Sequence, residues 1–253
     1  MSSKSVIQSV EKAAVILKLF SKKESLLTLQ EIHKRTGFTK TTTMRFCNTL
    51  TNIGYLEKVY LGQTPYYRLG IELFIIGSIV IQSIDITERA RKHLQLISNK
   101  LEDSSYLFVL RNNKAYCVDT VKGSYYIQDA TINIGDVLPL NIGGGPLAIL
   151  AYMGLDEQNS ILESFNLKEE KKDALVKRLQ EIQIKGHSFS SNETNPGTSA
   201  IGVPIFNHEG KVVAALSVGS IEMRFNNERI PIIVEELKKA SRDLSIELGW
   251  KHN

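Results

Sequence analysis

The sequence predicts a two-part α+β fold. Residues 1–70 read as three short helices and a hairpin, 71–84 as a lone apolar helix, and 85–253 as an antiparallel sheet with helices. Three observations carry this. Apolar residues at helical spacing recur three times before residue 54. Two short strand-like runs then flank a turn at 61–64. Beyond residue 85 the pattern changes to strand-like runs with tight turns, interrupted by helical stretches.

In chain order, residues 6–21 place Val10, Ala13, Ala14, Leu17 and Phe20 on one helical face. The stretch 28–58, TLQEIHKRTGFTKTTTMRFCNTLTNIGYLEK, reads as two short helices around a tight turn, with a strand starting at Gly54. Leu29 and Ile32 sit on one side of the first helix, Lys34 and Arg35 on the other. Gly37 is a helix stop that tolerates positive φ. Thr39 is the expected N-cap of a second helix from Lys40 to about Ile53.

That helix divides its faces. Thr43, Phe46, Cys47, Leu50 and Ile53 fall on one side; Thr41, Arg45, Asn48 and Asn52 fall on the other. The polar stripe holds a guanidinium, a hydroxyl and two amides, without a carboxylate. Such groups read base edges or hold phosphates in a DNA major groove. In the next run, YLEKVYLGQTPYYRLG, strands at about 55–60 and 65–69 flank Leu61-Gly62-Gln63-Thr64. Three helices and a hairpin make a winged helix–turn–helix, whose wing offers Lys58, Gln63, Thr64 and Arg68. Charge agrees: residues 1–70 carry 11 Lys+Arg against 4 Asp+Glu, while the whole chain is only +4. The basic excess is confined to the end where nucleic acid is expected.

Residues 71–84, IELFIIGSIVIQSI, are too apolar all round for a solvated linker. A helix is expected there, packed against its own domain or against the same helix of a second subunit. The body then offers a helix at 87–102 and strands at 106–110, 114–121 and 125–130. The glycine-rich run NIGGGPLAILAYM opens a helix, and further helices are expected at about 156–164 and 168–183. SSNETNPGT reads as a long loop, strands at 199–206 and 211–218 as a hairpin, and 226–249 as a closing amphipathic helix.

Several function classes are excluded or weakened. The apolar run 73–81 is far short of the roughly twenty residues a membrane span needs. The first residues lack a signal core, and the two cysteines, Cys47 and Cys117, form neither a disulfide framework nor a metal knuckle. A cytoplasmic protein without membrane partners is expected. Gly143-Gly144-Gly145-Pro146-Leu147-Ala148 satisfies a loose GxGxxA pattern, but no parallel strand is expected after it, as a dinucleotide site requires. Gly197-Thr198-Ser199-Ala200 approaches a nucleophile elbow but has Ile201 where the closing glycine belongs. The five histidines lack ligand spacing. No catalytic residue, cofactor or metal is therefore expected. The glycine-rich helix start remains as a backbone site for an anion or small ligand.

In their order and spacing these segments resemble the IclR family of bacterial and archaeal transcriptional regulators over essentially the whole length. SVEKAAVILKLF, TLQEIHKRTGFTKTTTMRFCNTLTNIGYLEK and YYRLG carry the resemblance in the first part. LPLNIGGGPLAILAYM, GHSFSSNETNPGTSAIGVPIFNHEGKVVAALSVG and the closing helix carry it in the second.

The resemblance implies a winged helix–turn–helix DNA-binding domain (1–70), a linker or dimerisation helix (71–84) and a GAF-like effector-binding domain (85–253). The partners it implies are double-stranded operator DNA, a small-molecule effector such as an organic acid, and further copies of the chain in a homodimer or homotetramer. Repression is the favoured sign of control. The DNA-binding residues expected are Thr39, Lys40, Thr41, Thr42, Arg45, Asn48, Lys58, Gln63 and Thr64. Those expected at the effector are Ile127, Gly144, Gly145, Ser190, Ala200, Ser217 and Gly219.

Departures from the family pattern at Gly143, Leu147, Ser190 and Gly219 imply fewer polar groups around the effector. Two rivals from other classes are a metabolite-modifying enzyme and a DNA-binding dimer whose body holds no ligand.

Overall fold

The structure is a computed structural model that describes residues 7–21, 24–83, 85–125 and 132–251. It divides into two compact units, 1–83 and 84–253.

The first unit contains helices α1 (Gln8–Leu17), α2 (Leu29–Thr36) and α3 (Lys40–Asn52), and strands β1 (Leu27–Thr28), β2 (Leu56–Leu61) and β3 (Thr64–Leu69). The strands form one antiparallel sheet in the order β1-β3-β2. The hairpin between β2 and β3 turns over Gly62 and Gln63 alone, with Leu61 paired to Thr64. Ile16, Phe20, Leu27, Ile32, Cys47, Leu50, Leu56 and Tyr67 form the core.

Local chemistry sets the boundaries of α2 and α3. The Thr28 hydroxyl accepts from Glu31 N–H, and the Glu31 carboxylate accepts from Thr28 N–H, a reciprocal capping box at the start of α2. Gly37 then takes φ +69, a left-handed conformation that ends α2 at little cost. Thr39 caps α3 by accepting from Thr42 N–H.

Two details depart from expectation. α1 is shorter than 6–21, and its fully buried residue is Ile16, whereas Val10 is mostly exposed. Ile53, expected on the buried face of α3, lies past the helix end and is 50% exposed. A separate helix α4 (Ile71–Ser83) leaves Ile71 and Phe74 more than 60% exposed.

The second unit is a three-layer sandwich. Among the described residues its strands are β4 (Ser104–Arg111), β5 (Lys114–Val121), β6 (Val137–Leu138), β7 (Ser188–Ser191), β8 (Thr198–Phe206) and β9 (Val212–Ile221). They pair antiparallel throughout, in the order β6-β5-β4-β9-β8-β7. Helices α5 (Asp85–Leu101) and α9 (Arg229–Glu247) cover one face; α6 (Gly144–Ala151), α7 (Leu155–Ser164) and α8 (Glu169–Lys185) cover the other.

The central strand β4 is buried on both sides, which explains its continuous apolar run. Leu107 and Val109 face α5 and α9, while Tyr106 and Phe108 face α6. β6 and β7 were not expected; β7 takes Ser190 out of the anticipated loop and pairs it with Ala200. The strand expected at 125–130 falls, apart from Tyr125, outside the described residues. Among the described residues no helix is long and apolar enough to cross a membrane.

Candidate nucleic-acid interface and ligand pocket

On α3, Lys40, Thr41, Arg45 and Asn48 are exposed, and Thr42 is half-buried beside them. The hydroxyl of Thr39 both accepts from Thr42 N–H and donates to Thr42 Oγ1 at 2.8 Å. Thr39 is therefore occupied with shaping the helix start, and the proton of Thr42 is the one left to offer outward. Thr43 turns inward and donates to Thr39 O. The wing presents exposed Lys58, Gln63 and Thr64. Lys58 Nζ sits 5.5 Å from the Tyr60 ring centroid. Arg68, expected to be available to a partner, is held by Glu57 across the hairpin at 2.8 Å. That pairing also keeps the Glu57 carboxyl below its usual range, with the hydrogen bond from Arg68 as the largest cause.

Beneath α6 the second unit holds a cavity walled by β4, β8, β9 and the start of α6. Of the residues expected at an effector, Gly144, Ala200, Ser217 and Gly219 line it. Gly145 does not, because it packs on Phe108: a Cβ there would come within 2.4 Å of the ring. Ser190 does not either; its hydroxyl donates to Glu193 at 2.8 Å. Ile127 lies outside the described residues.

Gly144 is glycine because α6 presses onto the sheet. A Cβ would sit 2.9 Å from both the Ile201 carbonyl carbon and Ser217 Oγ. Ser188 Oγ donates to Gly144 O and fastens the same contact.

Sequence reasoning missed the aromatic and aliphatic walls, Tyr106, Phe108, Ile132, Leu138 and Pro146. It also underestimated the polar lining: Ser104, Thr194, Thr198, Ser199, Ser217 and Ser220 all contribute, with no charged side chain among them. Several of these hydroxyls donate into the protein: Ser217 to Ile201 O, Ser220 to Tyr125 O and Thr198 to Asn195 O. They therefore keep lone pairs rather than protons for anything in the cavity. Burial pushes the Tyr106 phenol up to about 12, so it stays protonated at neutral pH. The cavity volume is about 40 Å³, room for a water molecule or so.

Two polar clusters fix the rim. Glu193 accepts from Gly143 N–H at 3.1 Å and pairs with Arg178 from α8 at 2.5 Å. Fully buried Asp103 binds Arg224 Nε at 2.6 Å and Arg229 Nη2 at 2.8 Å. The Arg224 guanidinium lies 3.9 Å from the Tyr125 ring centroid. The two weak catalytic motifs dissolve. The helix after Gly143 leads to no parallel strand, and Ser199 lies within β8 with its hydroxyl 3.0 Å from Ser191 Oγ.

Comparison with known proteins agrees with this architecture. The IclR helix-turn-helix domain matches residues 9–59, and the bacterial transcriptional regulator IclR C-terminal domain matches 78–246. The chain belongs to the IclR family. It is a transcriptional regulator of the helix–turn–helix type.

The Bacillus subtilis regulator KipR is 30% identical over 249 residues, covering 96% of this chain and 98% of its own. The Escherichia coli regulator XynR is 29% identical over 251 residues, covering 97% and 98%. An IclR homolog from Microbacterium hydrocarbonoxydans, solved in complex with 4-hydroxybenzoate, shares the fold with a TM-score of 0.79 at 21% identity. That match covers 95% of this chain and 98% of the homolog.

Proposed function

We propose that this IclR-family regulator reads operator DNA with α3 and the β2–β3 wing, and that a small metabolite in the cavity beneath α6 adjusts that binding. One observation carries the DNA half. The exposed face of α3 presents Lys40, Thr41, Arg45 and Asn48 with no carboxylate among them, on a helix whose start is fixed by Thr39. In this reading Arg45 and Asn48 meet base edges, Lys40 and Thr42 meet phosphates, and Lys58, Gln63 and Thr64 hold the backbone beside the wing.

The apolar face of α4, with Ile71 and Phe74 exposed, suits self-association. The same proposal takes the protein as a homodimer or homotetramer acting in the cytoplasm, with domains at 1–70, 71–84 and 85–253, and with repression as the favoured sign.

The effector half rests on the cavity lining. Tyr106 and Phe108 suit a flat apolar body, and hydroxyl lone pairs suit a ligand donor. At the start of α6, where Glu193 already takes Gly143 N–H, the Gly144 amide suits an anionic or carbonyl oxygen. A hydroxylated aromatic acid meets all three demands, and the 4-hydroxybenzoate complex of the Microbacterium homolog supports that class.

Thermal unfolding of the full chain against hydroxybenzoates, aliphatic acids and sugar acids tests it. A ligand at about 100 times its Kd adds roughly 2.7 kcal/mol, which raises Tm by about 5–10 °C in a domain of this size. Ala200→Leu, which fills the cavity wall, should abolish the shift. The small free volume favours one alternative, a packed body that serves assembly alone; a flat panel would support it.

A further inference from the structure

We propose that Met44 reads a thymine methyl group in the operator, a specificity-determining contact that the polar residues of α3 do not supply. The inference rests on the DNA-binding reading of α3. Within Lys40–Asn52 the apolar residues Phe46, Cys47 and Leu50 pack on the core or lie in it. Met44 is the large apolar side chain of α3 left exposed, at 44%. The core closes without it, so folding does not explain its presence.

Its position does. Helical spacing sets Met44 beside Lys40 and Thr41 one turn earlier and Asn48 one turn later. These are the residues that face DNA in the reading above. Met44 also lies in the N-terminal half of α3, the part of a recognition helix that meets base edges.

The chemistry then narrows what it can read. Among base edges in the major groove, thymine alone carries a methyl group, at C5; the other features are hydrogen-bond donors and acceptors. A thioether offers no donor and only a weak acceptor, so it gains little from guanine, adenine or cytosine. Against the N4 amino group of cytosine it would strip water from a donor and leave it unpaired. Its unbranched, adaptable chain can close over a methyl that protrudes from the groove floor. Met44 therefore favours thymine both by gain and by exclusion.

The test uses the full chain. Selection from a random duplex pool gives its preferred site, and each thymine of that site is then replaced by deoxyuridine, which removes only the C5 methyl. Burying one such group is worth about fourfold in affinity. The expected result is one thymine per engaged recognition helix whose replacement weakens wild-type binding by about fourfold. Met44→Ala should bind the thymine and deoxyuridine duplexes equally, and Met44→Leu should retain most of the difference.

Unchanged melting of both variants would show that the fold is intact, as the exposure of Met44 requires. A site in which no deoxyuridine replacement matters, or a methyl effect that persists in Met44→Ala, overturns the inference and leaves the DNA-binding reading standing. Failure to enrich any site would overturn that reading, and this inference with it.

Discussion

In the first unit the residues proposed to meet DNA stand clear of the fold. Lys40, Thr41, Arg45 and Asn48 are exposed, and the core of Ile16, Ile32, Cys47 and Leu50 closes without them. In the second unit the residues that line the cavity are the fold. Phe108 packs on Gly145, Ser217 lies against Gly144, and Tyr106 and Phe108 belong to the core between the sheet and α6–α8. The first arrangement lets recognition vary without cost to stability. The second ties any change of ligand preference to packing, because interiors are close-packed and respond to single methyl groups. Mutations should therefore separate stability from binding in one unit and fail to separate them in the other.

The largest effect should come from Asp103→Ala. It removes a fully buried carboxylate and leaves Arg224 and Arg229, both mostly buried, without their shared counter-ion. Breaking one side of such a cluster costs about 3–5 kcal/mol. Calorimetry should show a fall of several degrees in Tm; an unchanged Tm would mean that water already compensates the arginines.

A contrasting pair comes next. Gly144→Ala forces a Cβ against strand backbone at 2.9–3.1 Å and should cost about 1–3 kcal/mol of stability as well as any ligand response. Arg45→Ala should leave stability within about 0.5 kcal/mol yet weaken operator binding by about 1–3 kcal/mol and relax preference at one base. If only the salt dependence changes, Arg45 grips a phosphate instead. If Arg45→Ala also melts early, the separation drawn between the units fails.

The same contrast explains what was legible in the sequence. Recognition residues on one helix repeat every three or four positions, so the division between Thr43/Cys47/Leu50 and Thr41/Arg45/Asn48 could be read directly and recurs in the structure. The cavity draws on β4, α6 and the β8–β9 hairpin, which are far apart in the chain, and no local period announces that Tyr106 and Ala200 line one cavity. The resemblance to a known family supplied Gly144, Ala200, Ser217 and Gly219; it could not supply the walls.

Glycine was ambiguous for a related reason. A run of three says that backbone must approach something closely, but not whether that is a ligand or, as for Gly145, a neighbouring ring. One signal was present and unused: Thr28 and Glu31, three apart before an apolar run, spell the capping box at the start of α2.

Thr39 blurs the boundary between structure and recognition, and so sharpens the comparison. It caps α3 and stands at the proposed DNA face. Thr39→Ala should lose about 1 kcal/mol of stability and weaken DNA binding together. Thr39→Asp keeps a capping oxygen and so should keep stability, but its carboxylate would face phosphate and weaken binding. Equal affinity of the aspartate variant and wild type would place this end of α3 away from the backbone.

The smallest effect is expected on the wing. Arg68 is held by Glu57 across β2 and β3, and both side chains are about half exposed. An exposed pair of this kind contributes little to stability, so Glu57→Gln should leave Tm unchanged. Its consequence is electrostatic. The carboxyl is held below its usual range by Arg68, hence charged throughout the neutral range, and it cancels the guanidinium beside it. Removing that charge frees one cation on an exposed hairpin next to Lys58. If the wing tracks the DNA backbone, the slope of log affinity against log salt should steepen by about 1 for one added phosphate contact. Affinity should rise for all sequences alike, because a phosphate contact carries no base preference. A salt slope identical to wild type would remove Arg68 and its strand from the interface. Recognition would then rest on α3 with Lys58 and Gln63 of the wing, and β3 would serve only to close the core through Tyr67.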